Sequence, residues 1–428
     1  MNEVFKITEN IIVVGGGAAG LMAAWELLKE GRKVTVLEAS NRLGGRIATL
    51  HHSSFKQPVE KGAEFIHGVL PITMQLLKAA GIEYKPVKGR RFRITGQDWK
   101  SLEDFTLGWD ELIEKMKEIK EDLTVDDFLQ KNFSGEQYKE LRSSVLRFAE
   151  GFDLADTSKA CIMALREEWM EEKDKQYRVP GGFDQLIHYL ENQCSELDAD
   201  IYTSSVVREI TWKKNDVIVI TENGKTYRAN KLIITVSVGV LQTDPPPILF
   251  QPAIDYYLHA SKQIGYGSAM KVLLQFKNAF WEEKKKNIGF LVSGEAISTW
   301  WTQLPSSYPL LTGWAGGPPA RNLEQKNDEE ILNIALQSLS TIFKIPVDEL
   351  QSLLSASYIA NWLNDPFAKG AYSYNTLDSF EAKKILNRAI DDTLFFAGEA
   401  LYDGPSLGTV EAALVSGKNV AGKMMSDQ

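Results

Sequence analysis

The feature that most constrains this chain is six residues long. Gly15-Gly16-Gly17-Ala18-Ala19-Gly20 follows directly on the apolar, β-branched run Ile11 to Val14 and opens an amphipathic segment that ends near Gly31. The pattern predicts strand, tight turn and helix. Gly15 permits the sharp turn, Gly17 lets backbone amides approach a pyrophosphate beside Ala18 and Ala19, and Gly20 lets the helix pack close to the strand. A second β-branched run, Lys33 to Leu37, ends in Glu38, 18 residues after Gly20, where a carboxylate that holds a ribose hydroxyl is expected. Strand, glycines, helix, strand and acid in this register predict a dinucleotide-binding unit.

That unit occupies a small part of 428 residues, a length that predicts two globular domains. The formal net charge of -9 argues against nucleic acid or anionic lipid as a partner and favours a cationic small molecule. Cys161 and Cys194 stand in no metal-like or redox-like spacing, so neither a zinc site nor a disulfide framework is expected, and a reducing compartment fits. The opening MNEVFKITEN has no basic and apolar leader pattern and the closing KMMSDQ no membrane anchor, so a cytoplasmic location is expected.

The stretch Leu37 to Arg46, with Glu38, Ala39, Arg42, Gly44, Gly45 and Arg46, resembles the E-A-x-x-R-x-G-G-R motif of the FAD-dependent amine oxidoreductase superfamily, which includes monoamine, polyamine, L-amino-acid and protoporphyrinogen oxidases. Two guanidinium groups there suit charge-assisted hydrogen bonds to a pyrophosphate. Near the other end, Phe395 to Ala400 reads as an apolar strand ending in Gly398-Glu399, and Gly408-Thr409-Val410 opens a helix rich in small residues. The pair is similar to the family's second FAD signature, which implies that Gly398 and Glu399 contact the pyrophosphate and ribityl region and that the helix start faces the flavin O2 edge. Helix polarity supplies the reason, since exposed amides stabilise a reduced, anionic flavin. Between these lie Tyr177 to Phe183 and the strand Val206 to Ile210, where the resemblance places an adenine contact on Val207. A hairpin at Asn223-Gly224 and a strand from Lys231 to Val236 follow.

The resemblance implies an α/β chain, α+β overall, in which a Rossmann-like FAD-binding domain (1-90, 180-262 and 388-428) is interleaved with a substrate domain of mixed sheet and helices (91-179 and 263-387). Helix-forming runs such as Asp110 to Asp122 and Gly135 to Glu150 belong to the latter.

Four residues are expected to carry the chemistry. Lys271 enters an otherwise uncharged strand, and a buried lysine needs a partner. The resemblance gives it the role of holding a water against flavin N5. Trp362 and Tyr372 fall in a segment that looks like the W-x-x-D-P-x-x-x-G-x-Y-S pattern of polyamine oxidases, as aromatic walls that orient an amine at the flavin. Gly62-Ala63-Glu64-Phe65-Ile66-His67-Gly68 resembles the G-A-x-W-I-H-G element, placing Gly62, Ala63, Glu64 and Phe65 against the cofactor and His67 at the substrate channel. Glu64 could meet a cationic amine tail or solvent.

Two departures modify these expectations. Monoamine oxidases carry a flavin-linked cysteine before the tyrosine and this chain has Ala371, which implies noncovalent FAD. Their second cage tyrosine falls near Pro405 here, with Tyr402 as a candidate substitute. The expected activity is hydride transfer from a primary amine or polyamine to the flavin, followed by imine hydrolysis and reoxidation by dioxygen with release of hydrogen peroxide. No metal is expected. The alternatives are an L-amino-acid oxidase, for which Arg90, Arg91 and Arg93 could hold a carboxylate, a superfamily dehydrogenase or desaturase, and a non-catalytic flavin-binding scaffold.

Overall fold

The computed structural model describes residues 9-96, 98-102, 108-170 and 175-426. Its first sheet has five parallel strands in the order Asp200–Tyr202, Lys33–Leu37, Asn10–Val14, Lys231–Ile234 and Leu394–Phe396. Successive side chains of a strand point to opposite faces. Ile11 and Val13 pack under the helices Ala18–Lys29 and Val410–Ser426, with Ala23, Leu27, Val420 and Ala421. Ile12 and Val14 enter a second core with Val217, Val219 and Phe250. That core lies against a four-stranded sheet ordered Thr226–Ala229, Asp216–Thr221, Val207–Lys213 and Leu249–Gln251. A sheet buried on both faces accounts for the continuous apolar run at Ile11 to Val14.

Two glycines set how closely the helices sit. A Cβ on Gly20 would lie 1.9 Å from the Gly15 carbonyl oxygen, and one on Gly417 would lie 2.2 Å from that of Ala19. The first helix is thus pressed against the turn below it and against the last helix beside it, which fixes its N-terminus where the strands end.

The second large sheet has seven strands in the order Leu354–Asn361, Ala269–Phe276, Leu310–Gly316, Thr299–Trp301, Ile288–Val292, Arg90–Thr95 and Asp98–Leu102. It is mixed, with Ile288–Val292 and Arg90–Thr95 paired in parallel and the other neighbours antiparallel. The helix Asp328–Phe343 covers it with Ile331, Leu336 and Leu339, and starts from a capping box between Asn327 and Glu330. Helices Trp109–Lys117, Val125–Asn132, Lys139–Gly151 and Ile162–Met170 form a further core around Met116, Phe128 and Val145.

Most local expectations map onto nearby elements, with shifted ends. The strand expected from Lys231 to Val236 stops at Ile234, because the Thr235 hydroxyl turns to the carbonyls of Val14 and Gly15. The run Gly135 to Glu150 divides into a short 3-10 turn, Glu136–Tyr138, and the helix Lys139–Gly151. The result is a mixed α/β chain whose parallel sheet draws strands from residues 10-37, 200-234 and 394-396.

Candidate active site

A cavity of about 750 Å³ opens at the ends of the parallel strands and reaches the seven-stranded sheet. That volume lies within the roughly 300–1,000 Å³ typical of small-molecule sites. Of the catalytic and cofactor-binding residues expected from the sequence, all line this cavity except Gly20, which packs behind it; of the alternatives, Arg93 lines it while Arg90, Arg91 and Tyr402 do not.

At the glycine turn, Gly17 is the N-cap of the helix Ala18–Lys29 and supplies no capping side chain. The amides of Ala18 and Ala19 are therefore orphan donors of a helix N-terminus, a ready site for a phosphate. A Cβ on Gly17 would meet no atom closer than the Gly44 carbonyl oxygen at 4.0 Å, so the glycine leaves open space rather than avoiding a clash. Glu38 is buried, accepting the Gly16 N–H at 2.7 Å on one carboxylate oxygen and the Ser40 N–H at 2.8 Å on the other. Each oxygen keeps a second lone pair for a hydroxyl donor.

The two arginines of the motif differ. Arg42 donates to the carbonyls of Leu43, Ile47 and Gly45 at 3.1, 3.2 and 2.8 Å, so its first task is to shape its own loop. Arg46 donates to the Ala371 carbonyl and forms a 2.9 Å ion pair with Glu399. Glu399 takes the Ser373 N–H, the Ser373 hydroxyl and the Gly408 N–H on its other oxygen. This one carboxylate links the N-terminal motif, the strand that follows Tyr372 and the loop before the last helix.

Around Lys271 the strand Ala269–Phe276 is buried at every residue, and Lys271 itself is 2% exposed. Its Nζ donates to the carbonyl oxygens of Glu60 and Gly62 at 3.1 and 2.9 Å and to Glu64 Oε2 at 2.7 Å. Glu64 Oε1 accepts Arg178 Nε at 3.1 Å and Trp301 Nε1 at 2.9 Å. Burial alone would raise the Glu64 carboxyl, but Lys271 and Arg178 outweigh it and hold the group below the usual carboxylate range. The expectation that Glu64 could face solvent is thus corrected, since its carboxylate is buried among Lys271, Arg178 and Trp301. Lys271 Nζ has three protein acceptors within reach, two carbonyls and one carboxylate.

Trp362 Nε1 donates to the Lys61 carbonyl at 2.9 Å, and the Tyr372 hydroxyl donates to that of Phe152. Burial pushes the Tyr372 phenol far above its ordinary range, and the carboxylates of Asp153, Glu168 and Glu399 push the same way. The His67 ring sits between aromatic neighbours, 5.9 Å from Phe65 and 5.5 Å from Phe152. Pro405 lines the cavity whereas Tyr402 does not, so Tyr402 is no substitute for a second cage tyrosine.

Several lining residues escaped sequence reasoning. Trp301 lies 5.4 Å from Phe65 and 6.2 Å from Trp314, and Phe290 is 5.8 Å from Phe65, giving an aromatic arch built on the seven-stranded sheet. The signal was present in the Trp300-Trp301 pair, since strand alternation sends one ring to the core and the other to the cavity. Asp153, Glu168 and Arg147 add charges of both signs to the wall beside Arg93, which the sequence offers as a cation for a carboxylate. Nothing local in the sequence distinguishes the first three.

A model of the family described as flavin containing amine oxidoreductase matches residues 18–425. The chain is 26% identical to lysine-specific histone demethylase 1 homolog 3 of Arabidopsis thaliana, over 92% of its own length and 28% of that protein's. To polyamine oxidase 5 of Oryza sativa subsp. japonica it is 28% identical, over 95% of its own length and 86% of that protein's. The chain therefore spans less than a third of the demethylase relative. Among solved structures, a cyclohexylamine oxidase from Brevibacterium oxydans IH-35A superposes with a TM-score of 0.81 at 20% identity, covering 98% of this chain and 99% of that one, which is a likeness of fold.

Proposed function

Because the chain belongs to the flavin-containing amine oxidoreductase family, we propose that it binds FAD noncovalently and oxidises a primary amine or a polyamine, with dioxygen as electron acceptor and hydrogen peroxide as product. The residues present fit that cofactor. Orphan amides at Ala18 and Ala19, the open space at Gly17 and the buried Glu38 suit a pyrophosphate and a ribose, and Val207 lines the same cavity. Ala371 has no atom able to form a covalent link at the position where the resemblance to monoamine oxidases implies a flavin-linked cysteine. When bound, the flavin supplies the two-electron acceptor for a hydride from the carbon beside nitrogen.

The chain's own groups do the rest. Trp362 and Tyr372, each held by an indole N–H or phenol O–H, wall the substrate and keep water from it. The carboxylates of Asp153 and Glu168, close enough to act on Tyr372, favour entry of a cationic amine. Phe65, Phe290, Trp301 and Trp314 receive its apolar part.

The observation that carries this reading is continuity, since one cavity joins the glycine turn to the aromatic arch. Anaerobic mixing with benzylamine, tyramine, putrescine and spermidine tests it. At least one should bleach the flavin absorption, and failure of all of them would remove the amine assignment. An Nε-methyl-lysine peptide belongs in the same panel because of the demethylase relative. A second reading, oxidation of an L-amino acid, is favoured by the placement of Arg93 and Arg147 on the cavity wall, where Arg93, lowered first by burial, is lowered further by the charge of Arg147. Bleaching by L-amino acids alone would select it.

A further inference from the structure

The hydrogen bonds of Lys271 define its chemical state more tightly than its burial does. Nζ faces three oxygens, from Glu60, Gly62 and Glu64, all between 2.7 and 3.1 Å. A neutral amine has two hydrogens and a lone pair, so one of those oxygens would face another lone pair. Only an ammonium donates to all three. Glu64 is equally constrained, because it accepts on both oxygens, from Lys271 on one and from Arg178 and Trp301 on the other. A glutamine would turn an NH2 group toward one set of donors, so this position calls for a carboxylate. With Lys271 2% and Glu64 7% exposed, neither charge persists without the other.

We infer that Glu64 is a positioning residue that fixes the Lys271 ammonium in place against three oxygens, so that the lysine serves the reaction through its electric field and shuttles no proton. The inference rests on the proposed function for the place of the flavin, whereas the ionic unit belongs to the polypeptide. Two cations, Lys271 and Arg178, share the Glu64 carboxylate, so while the neighbouring Glu60 carboxyl keeps its proton, up to about pH 7, this unit carries an excess positive charge on a buried wall of the cavity. In such surroundings a fixed charge favours an anionic partner far more than it would in water. Lys271 has no lone pair with which to accept a proton from an amine. To hold a water it must release one of its carbonyl bonds.

The test uses the full chain with flavin bound and the variants Lys271→Met, Glu64→Gln and the two combined. Lys271→Met should move the flavin midpoint potential to more negative values, because the reduced, anionic form loses a fixed cation. The pH profile of flavin reduction by an amine should keep the shape of the parent. Glu64→Gln should melt below the parent, and adding Lys271→Met to it should raise the melting temperature again, since the uncompensated cation is then gone. Disappearance of a limb of the pH profile in Lys271→Met would show a proton carrier and overturn the inference. So would additive losses of stability in the combined variant. If no amine reduces the parent flavin, the proposed function fails, while the potential and the melting cycle still decide this point.

Discussion

Replacing Glu60 by glutamine isolates a single half-buried acid whose proton the fold retains to about pH 7. Burial pushes its carboxyl from 4.5 to about 7, against the Phe183 N–H and the Lys271 charge, with nearby Glu64 adding to the rise. An unfolded chain releases this proton near 4.5 and the native chain holds it to about 7. Over that window the unfolded state binds fewer protons, so stability falls as pH rises, and the whole loss is present above 7. At roughly 1.4 kcal/mol per pH unit the interval amounts to about 3 kcal/mol, and partial exposure to solvent reduces it to about 2 kcal/mol. The Glu60→Gln side chain keeps the geometry, because its oxygen can accept the Phe183 N–H now at 2.7 Å and its amide can donate to the Thr49 hydroxyl now at 3.0 Å. Parent and Glu60→Gln should therefore melt together near pH 4.5 and separate as pH rises, with the variant about 2–4 °C more stable by pH 8. Thermal melting of the flavin-bound proteins across pH 5 to 8.5 measures the gap. A gap independent of pH, or one in which the variant is less stable at pH 8, would refute the placement of a protonated carboxyl beside Lys271.

Three further perturbations probe separate parts of the site. Gly17→Ala places a methyl group in open space, so apoprotein melting should stay within about 1 °C of the parent while flavin affinity falls at least about tenfold by fluorescence titration; equal affinity would mean that no phosphate approaches there. Gly417→Ala forces a methyl onto the Ala19 carbonyl and should cost about 1–3 kcal/mol, read as lower melting and faster flavin loss, and unchanged melting would contradict the close helix crossing. Glu399→Gln removes the charge partner of half-buried Arg46 and should destabilise by about 1–3 kcal/mol, with the charge-retaining Glu399→Asp less affected, and a neutral outcome would show that Ser373 and Gly408 suffice without the ion pair.

What could be read from the chain alone was local. Gly15 to Gly20 lie within a few residues of the strands they serve, so their spacing encodes the turn, the helix start and the position of Glu38. The two stretches proposed to hold the cofactor, at Gly15 to Arg46 and Gly398 to Val410, were legible as local structure for the same reason. Partnerships across the chain were not. Glu64 meets Arg178 and Lys271 through three elements brought together by the fold, and no pattern around residue 64 announces a buried ion cluster. Arg42 illustrates a subtler loss, because its motif implies a phosphate contact while carbonyls three to five residues away absorb much of its donor capacity. Asp153 and Glu168 sit in helical surroundings where acids are usually solvated, and only the packing of those helices turns the pair toward Tyr372.

The order of strands in the parallel sheet has a consequence for how this protein comes into being. Leu394–Phe396 completes the sheet by pairing with Lys231–Ile234, which itself pairs with Asn10–Val14. During synthesis the strand at 231-234 therefore waits for some 160 residues with one edge unsatisfied, a bare template for unwanted pairing. The parallel sheet cannot close until the segment through Phe396 has left the ribosome, a long-range pairing of the kind that slows folding.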